Sequence, residues 1–299
     1  MFNKKLTNSD EGVVGIVASF LIIGLIVAVI SVIQTVYVPK WMEEKEAEHM
    51  EEVANQFAQL KYAIDMHVST ASEKNPISVP ITLGSKELPY FLSIRAFGTL
   101  EIIDNACNIS IKSNNQIFSI NIGIIKFSSL NGYFIDQSYI YENGALILSQ
   151  DNGNSINFDP SFKFTPIDFY NVSLDLDIVN ITPLANKGSI SGYATYPIKT
   201  EFLESSELLP EINNISEIRI KTDFTDAWYS FIKSRLINSR FDNSYYNISK
   251  NQTEVNITFY NKLYNINVTI NSPNINLEES RIYNIGAQIA PGWVINTKS

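Results

Sequence analysis

Few residues in this chain have the types and spacing that chemistry needs. Glu46-Ala47-Glu48-His49 spells Glu-x-x-His, the helical unit that supplies ligands to carboxylate-bridged di-metal sites. Such a site needs a second copy and two more glutamates on facing helices. The only other histidine, His67, has Ile64 three residues before it. The expectation is a charged helix face that includes a histidine, with no metal. Asp175 and Asp177 in "SLDLD" fall on one strand face and could serve a glycosidase, but an alternating strand places such residues toward solvent in any case. "DNGNSINFD" (151–159) resembles a calcium loop in composition without its ligand spacing. A serine nucleophile requires a histidine base, and both histidines lie in or beside one N-terminal helix. Gly-x-Ser-x-Gly, His-Glu-x-x-His and phosphate-loop patterns do not occur in the sequence. The residues predict no enzyme and no cofactor.

Another chemistry is written in asparagine. Sequons begin at Asn108, Asn171, Asn180, Asn214, Asn247, Asn251, Asn256 and Asn267. Roughly five would arise by chance at this asparagine content, so the excess is mild. In "NITFYNKLYNINVT" the polar residues mark one face of an alternating strand and the asparagines fall on it. A surface position is the expectation, and with it the capacity to accept sugars.

Composition narrows the classes further. The 299 residues carry a formal net charge of −9 and are 45% hydrophobic. Without a basic cluster such a chain is a poor partner for nucleic acid, whose phosphates need grouped Lys and Arg. Cys107 stands alone, which excludes an intramolecular disulfide and zinc sites built from several cysteines.

The elements that must position these residues begin with an apolar run. From Val13 to Val38 no residue is charged. At about 1.5 Å per residue, some twenty residues cross a hydrocarbon core of roughly 30 Å. The run is too long for a secretory signal, and "TVYVPKW" offers no small-residue cleavage site. Two Lys or Arg lie on each side of it, Lys4 and Lys5 before and Lys40 and Lys45 after. The positive-inside rule is therefore balanced, and the sequons place the N-terminus inside and the rest outside. Gly15 with Ser19, and Gly24 with Ala28, are small residues at helical spacing, which lets helix backbones approach closely in lipid.

Pro39 should kink or restart the helix at the membrane surface, where Trp41 suits the interface. Beyond it no Gly or Pro occurs through Val68, and Met50, Val53, Phe57, Leu60, Ile64 and His67 recur at steps of three and four. That spacing draws one apolar stripe. The expectation is a stalk, solvated in its charged first half and packed against the following domain in its second.

From Pro76 the pattern changes to period two: "SVPITL", "TLEII", "NISIKS", "QIFSINIGIIKF", "GALILSQ", "VSLDLDIVNIT" and others alternate between Asn, Gly and Pro breaks. Asn-Gly in "LNGY" and "ENGA" signals hairpins. "TDFTDAWYSFIKSRLI" is the one helical interruption, near 225–238, with Thr225 or Asp226 as N-cap and Trp228, Phe231, Ile232 and Arg235 at helical spacings. The predicted class is α+β: a long N-terminal helix, then a mainly antiparallel β-sandwich-like domain with one short helix. The organisation is a leader over 1–12, a transmembrane helix over 13–38, an amphipathic stalk over 39–70 and a β-rich domain over 76–299. A lobe boundary is placed at 205–214.

This arrangement of basic start, acid-Gly step, long apolar helix, amphipathic continuation and β domain resembles archaeal type IV pilins and archaellins. "VPKWMEEKEAEHMEEVANQFAQLKYAID", with "VPITLG", "GTLEI" and "TDFTDAWYSF", is similar to uncharacterised archaeal envelope proteins with a pilin-like N-terminus. The resemblance covers the first hundred residues and, beyond them, only the architecture. It implies a cell-surface protein with its β domain outside. Lys5 is separated from Gly12 by "LTNSDE", and no glutamate lies within the apolar run. The expectation is therefore an anchor retained in the membrane from Met1 or Phe2, at most a small oligomer, in a structural or adhesive role. A membrane-anchored carbohydrate-binding module or hydrolase using exposed carboxylates is the alternative. Expected partners are the lipid bilayer and copies of the same helix.

Overall fold

In a helix the side chain of proline crowds the carbonyl four residues back and offers no N–H in return. The chain meets that problem at Pro39 without stopping. The computed structural model describes residues 9–70, 75–85, 96–113, 116–166, 171–184, 188–205, 212, 214–239, 244–260, 274–277 and 281–290. Its first 62 described residues are one continuous helical rod, α1 (Ser9–Val32), a π-helical turn (Ile33–Tyr37) and α2 (Val38–Thr70). The Val38 N–H bonds to the Ile33 carbonyl, five residues back. This wider turn makes room for the proline ring, so of the expected kink or restart there is no restart: the helix runs on through a π turn.

The strands follow in chain order: β1 (Ile77–Thr82), β2 (Phe97–Ser113), β3 (Ile117–Leu130), β4 (Gln137–Glu142), β5 (Ala145–Gln150), β6 (Gly153–Phe158), β7 (Phe162–Pro166) and β8 (Asn171–Leu176). Next come β9 (Ile178–Pro183), β10 (Ser189–Gly192), β11 (Thr195–Ser205), β12 (Ile215–Lys221), α3 (Thr225–Asn238), β13 (Tyr246–Lys250), β14 (Glu254–Phe259), β15 (Asn274–Leu277) and β16 (Ile282–Ile289). They form three sheets. The central one has nine strands in the order β13-β14-β12-β2-β3-β4-β5-β6, with β10 beside the start of β2. A four-stranded sheet (β1-β11-β16-β9) and a three-stranded sheet (β15-β8-β7) complete the domain. Pairing is antiparallel except for β15 with β8 and β16 with β9. The α+β class with a mainly antiparallel β domain and one short second helix is what the structure has.

Successive side chains of a strand point to opposite faces, and the central sheet uses both. On one face Leu100, Ile102, Ile125, Phe127, Tyr139, Tyr141 and Leu146 pack with α2 and the four-stranded sheet. On the other, Cys107, Ile109, Ile111, Ile122, Ile124, Ile140 and Ile147 pack with α3 and the three-stranded sheet. The two cores are offset along β2 and β3, and a bulge between Ile103 and Cys107, with Asn105 at φ 53°, lies between them. The proposed lobe boundary at 205–214 lies mostly outside the described residues; the division visible in the core is between the faces of one sheet.

Asn143 and Gly144 turn β4 into β5 with φ of 47° and 79°, the primed-turn geometry expected of Asn-Gly. A second Asn-Gly, at 131–132, opens a six-residue β3–β4 loop instead of a tight hairpin. There Asp136 Oδ1 accepts from the Asn131 N–H, and Asn131 Nδ2 donates to the Ile135 carbonyl. Gly123 marks a close crossing: a Cβ there would stand 2.0 Å from the Ile181 carbonyl oxygen of β9.

Candidate functional site

One helix presents two environments. From Val13 through Val32 every residue is exposed, and the run is apolar and long enough to cross a membrane. Its hydroxyls find partners within the helix. Ser19, Ser31 and Thr35 donate to the carbonyls of Gly15, Val27 and Ser31, four residues back in each case, at 2.8–2.9 Å. Such back-bonding leaves the hydroxyl little need of water, as a lipid environment requires. Nothing lies within 4 Å of a Cβ placed at Gly15 or Gly24. The pairs Gly15/Ser19 and Gly24/Ala28 are nine residues apart in register, and at about 100° per residue they face opposite sides of the helix. Tyr37 and Trp41 close the run, their rings 6.0 Å apart and both exposed.

From Val38 onward the same rod is covered by the domain. Val38, Met42, Met50, Val53, Phe57, Leu60 and Ile64 are buried, each large side chain contributing roughly 1.5–3 kcal/mol by leaving water. The predicted stripe is thus the packed one. The first half, expected to be solvated, is so on one face, where Lys40, Glu43, Glu44 and Glu48 are exposed, and packed on the other, where Val38, Met42, Glu46 and His49 are buried. Glu46 is fully buried. Its carboxylate accepts three successive backbone N–H groups of the β3–β4 loop, Gly132 (3.0 Å), Tyr133 (2.7 Å) and Phe134 (2.7 Å). Converging amides of this kind form an anion-holding nest. Three residues on, His49 Nε2 donates to the Thr82 carbonyl at 2.9 Å, which fixes the tautomer, since a carbonyl only accepts. Burial lowers the His49 pKa more than that bond raises it, so the ring is held neutral. Glu46 and His49 therefore serve two different backbone partners and share no ligand position.

Gln56 extends the seam. Its Oε1 accepts from the Thr82 N–H (2.8 Å) and its Nε2 donates to Thr82 Oγ1 (3.0 Å) and Glu52 Oε1 (3.1 Å). His67 Nε2 meets Thr200 Oγ1 at 3.2 Å, while that hydroxyl donates to the Ile77 carbonyl. Burial again lowers the histidine pKa. Both histidines of the chain are seam residues.

The sequence reading missed the most perturbed carboxyl group among the described residues. Glu142, at the end of β4, is fully buried and accepts from Trp228 Nε1 (2.5 Å) and Thr222 Oγ1 (2.9 Å). Burial outweighs these bonds and pushes its pKa up to about 7. The Cys107 thiol lies beside it, and burial raises that thiol's pKa too. The cluster joins β2, β4, the turn after β12 and α3, and is buried in the core. Its signal was Trp228, an indole N–H on a helix face bound for the interior, which needs an acceptor.

The remaining candidates do not converge. Asp175 lies on β8 opposite Lys163, whereas Asp177 lies past the strand and accepts from Ser161 Oγ at 3.0 Å. The 151–159 segment docks α3: Asn154 Oδ1 accepts from the Ala227 N–H at 2.6 Å, and Asp159 pairs with Arg235. With Thr222 Oγ1 accepting from the Phe224 N–H, it supplies the capping expected of Thr225 or Asp226, both of which lie inside the helix. Among the sequons, Asn214, Asn247 and Asn251 are exposed. Asn108 is half-buried, its Nδ2 bonded across to β3, and Asn180 is clamped between Gly123 N and Asn284 Oδ1. Asn256 has a buried Oδ1 without a partner. Asn171 is the first residue of β8, and Asn267 lies outside the described residues. The structure places no three His, Cys, Asp or Glu side chains together as a metal group among the described residues. Comparison with protein families, with curated proteins and with solved structures finds no match.

Proposed function

We propose that the chain is a single-pass cell-surface protein of pilin-like build. The N-terminus stays in the cytoplasm, α1 and the π turn cross the bilayer, and the β domain stands outside in a structural or adhesive role. Copies meet through the Gly15/Ser19 and Gly24/Ala28 faces. The supporting observation is the contrast along one unbroken rod. Its first half exposes an apolar surface that water would not tolerate, and its second half is tied rigidly to a β domain. A helix so divided transmits position from a membrane to an external body. Sugar attachment, on this reading, falls on Asn214, Asn247 and Asn251, which are exposed sequons among the described residues.

Topology is the test. Protease added to intact cells should remove the chain beyond α2 and leave an N-terminal tag protected, with the protein in the membrane pellet and missing from mechanically sheared filaments. Digestion of the tag inverts the topology; recovery in sheared filaments replaces the anchor with a polymer core.

A further inference from the structure

The contacts of α2 establish which end of the β domain faces the membrane. Climbing from the π turn, Glu46 binds the β3–β4 loop, His49 lies against Phe127 (6.1 Å between rings), and Phe57 meets Phe127 and Tyr139 (6.4 and 6.0 Å). His67, near the far end, reaches Thr200. The strands rise alongside the helix, and the β3–β4 loop is at the end nearest α1. Val38 is already buried, one residue past the exposed Tyr37, so the cover of the domain begins where the apolar run ends.

That end carries an exposed apolar rim. Leu130 is 66% exposed and Ile135 54%, with Tyr133 between them also exposed. Phe97 pairs with Leu130 across β2 and β3, and its ring meets exposed Tyr193 edge-on at 5.2 Å. Large apolar side chains gathered at one end of a domain mark an interaction surface. The one acid in the loop, Asp136, has an oxygen bonded to the Asn131 N–H.

We infer that this rim docks on the outer surface of the bilayer the helix spans, seating Leu130, Tyr133 and Ile135 among headgroups and upper acyl chains. The inference rests on the anchoring reading above. Two arguments choose lipid over another protein. The uncharged run of 26 residues is about 39 Å long against a hydrocarbon core of roughly 30 Å. It fits by tilting, and tilt lowers one side of a rigidly attached domain onto the membrane. The rigid attachment is the Glu46 nest, which grips the rim loop itself. The rim's tyrosines, Tyr133 and Tyr193, are exposed and, like Tyr37 and Trp41 at the end of the apolar run, are of the residue types enriched at membrane interfaces.

The test uses the full chain in phosphatidylcholine–phosphatidylglycerol vesicles with brominated acyl chains. Single cysteines at Tyr133→Cys, Ile135→Cys, Phe20→Cys and Tyr62→Cys carry an environment-sensitive fluorophore. Cys107 stays unlabelled because it is buried and its thiol pKa is raised. Labels at 133 and 135 should be quenched about twofold or more and shifted to the blue, like the label at 20 and unlike the one at 62 on the outer face of α2. If 20 is quenched while 133 and 135 behave like 62, the docking is overturned and the anchor stands. Labels at 133 and 135 shielded from aqueous iodide yet unquenched by bromolipid would mean cover by another protein, which also overturns it. An unquenched label at 20 removes the anchor, and the docking with it.

Discussion

The exposed and packed halves of the N-terminal helix differ in what completes them. Residues 13–37 satisfy their hydroxyls locally, four residues back, and meet none of the β domain's core. In residues 38–70 the buried face reaches distant partners: Glu46 bonds with Gly132–Phe134, His49 and Gln56 with Thr82, and His67 with Thr200. A helix built for lipid must be self-sufficient, because its solvent offers no hydrogen bonds. One built for a protein seam can leave polar groups for specific partners, and those bonds then set the register of packing. One backbone carries a half apolar and long enough to cross a membrane and a half packed on the β domain, joined by a π turn at Pro39.

The largest expected effect breaks the comparison at a single residue type. Phe57 is fully buried between Phe127 and Tyr139, so Phe57→Ala should cost the β domain about 3–5 kcal/mol. Phe20→Ala, in the exposed half, should leave domain stability unchanged. Denaturant unfolding of both variants in the same detergent measures this. Equal losses would show that the two halves fold as one cooperative body.

A second prediction concerns pH. Glu142 takes up its proton near pH 7 in the fold but near its ordinary 4.5 when unfolded. Between these values the folded chain binds more protons. This contribution to stability is fully present below about pH 4.5 and is lost as pH rises to about 7, by roughly 3 kcal/mol. The lowered pKa values of His49 and His67 act the other way, removing stability as pH falls below 6.5. Glu142→Gln isolates the first effect: wild-type stability should fall relative to the variant from pH 4.5 to 7 and run parallel above it. Parallel curves throughout the range would remove the assignment to Glu142.

The difference between the halves also explains what the sequence disclosed. Local regularities were legible: the uncharged run, the stripe from Met50 to His67, the alternation of the strands and the Asn143-Gly144 turn. A further signal stood in "INIGIIKF" and went unread. Adjacent Ile124 and Ile125 break strict alternation because one faces the α3 core and the other the α2 core. What stayed hidden depends on partners far along the chain. Nothing near Glu46 announces amides 86 to 88 residues away, so it read as part of a solvated charged face. The cap of α3 was sought in Thr225 and Asp226, next to the helix, and comes in part from Asn154 on β6. The crossing of β9 over Gly123 has only a glycine as its sign.

The smallest effect lies at the junction of the two halves. Glu46→Ala removes the acceptor of three loop N–H groups while leaving the apolar stripe of α2 intact. Hydrogen bonds to a charged group are worth about 1.5–3 kcal/mol each when buried, and less where water can replace the lost partner. Gly132 and Tyr133 are exposed, so water can reach those amides, and the net loss should be about 1–3 kcal/mol. The location of the change is more telling than its size. Amide hydrogen exchange should quicken at Gly132, Tyr133 and Phe134 and stay unchanged through β4 and β5, whose ladder does not depend on Glu46. Glu46→Gln should recover part of the protection, because its carbonyl oxygen still accepts while its amide nitrogen cannot. Unchanged exchange at all three positions in Glu46→Ala would mean that the loop holds itself through Asn131 and Asp136. The rim would then owe its position to the sheet alone.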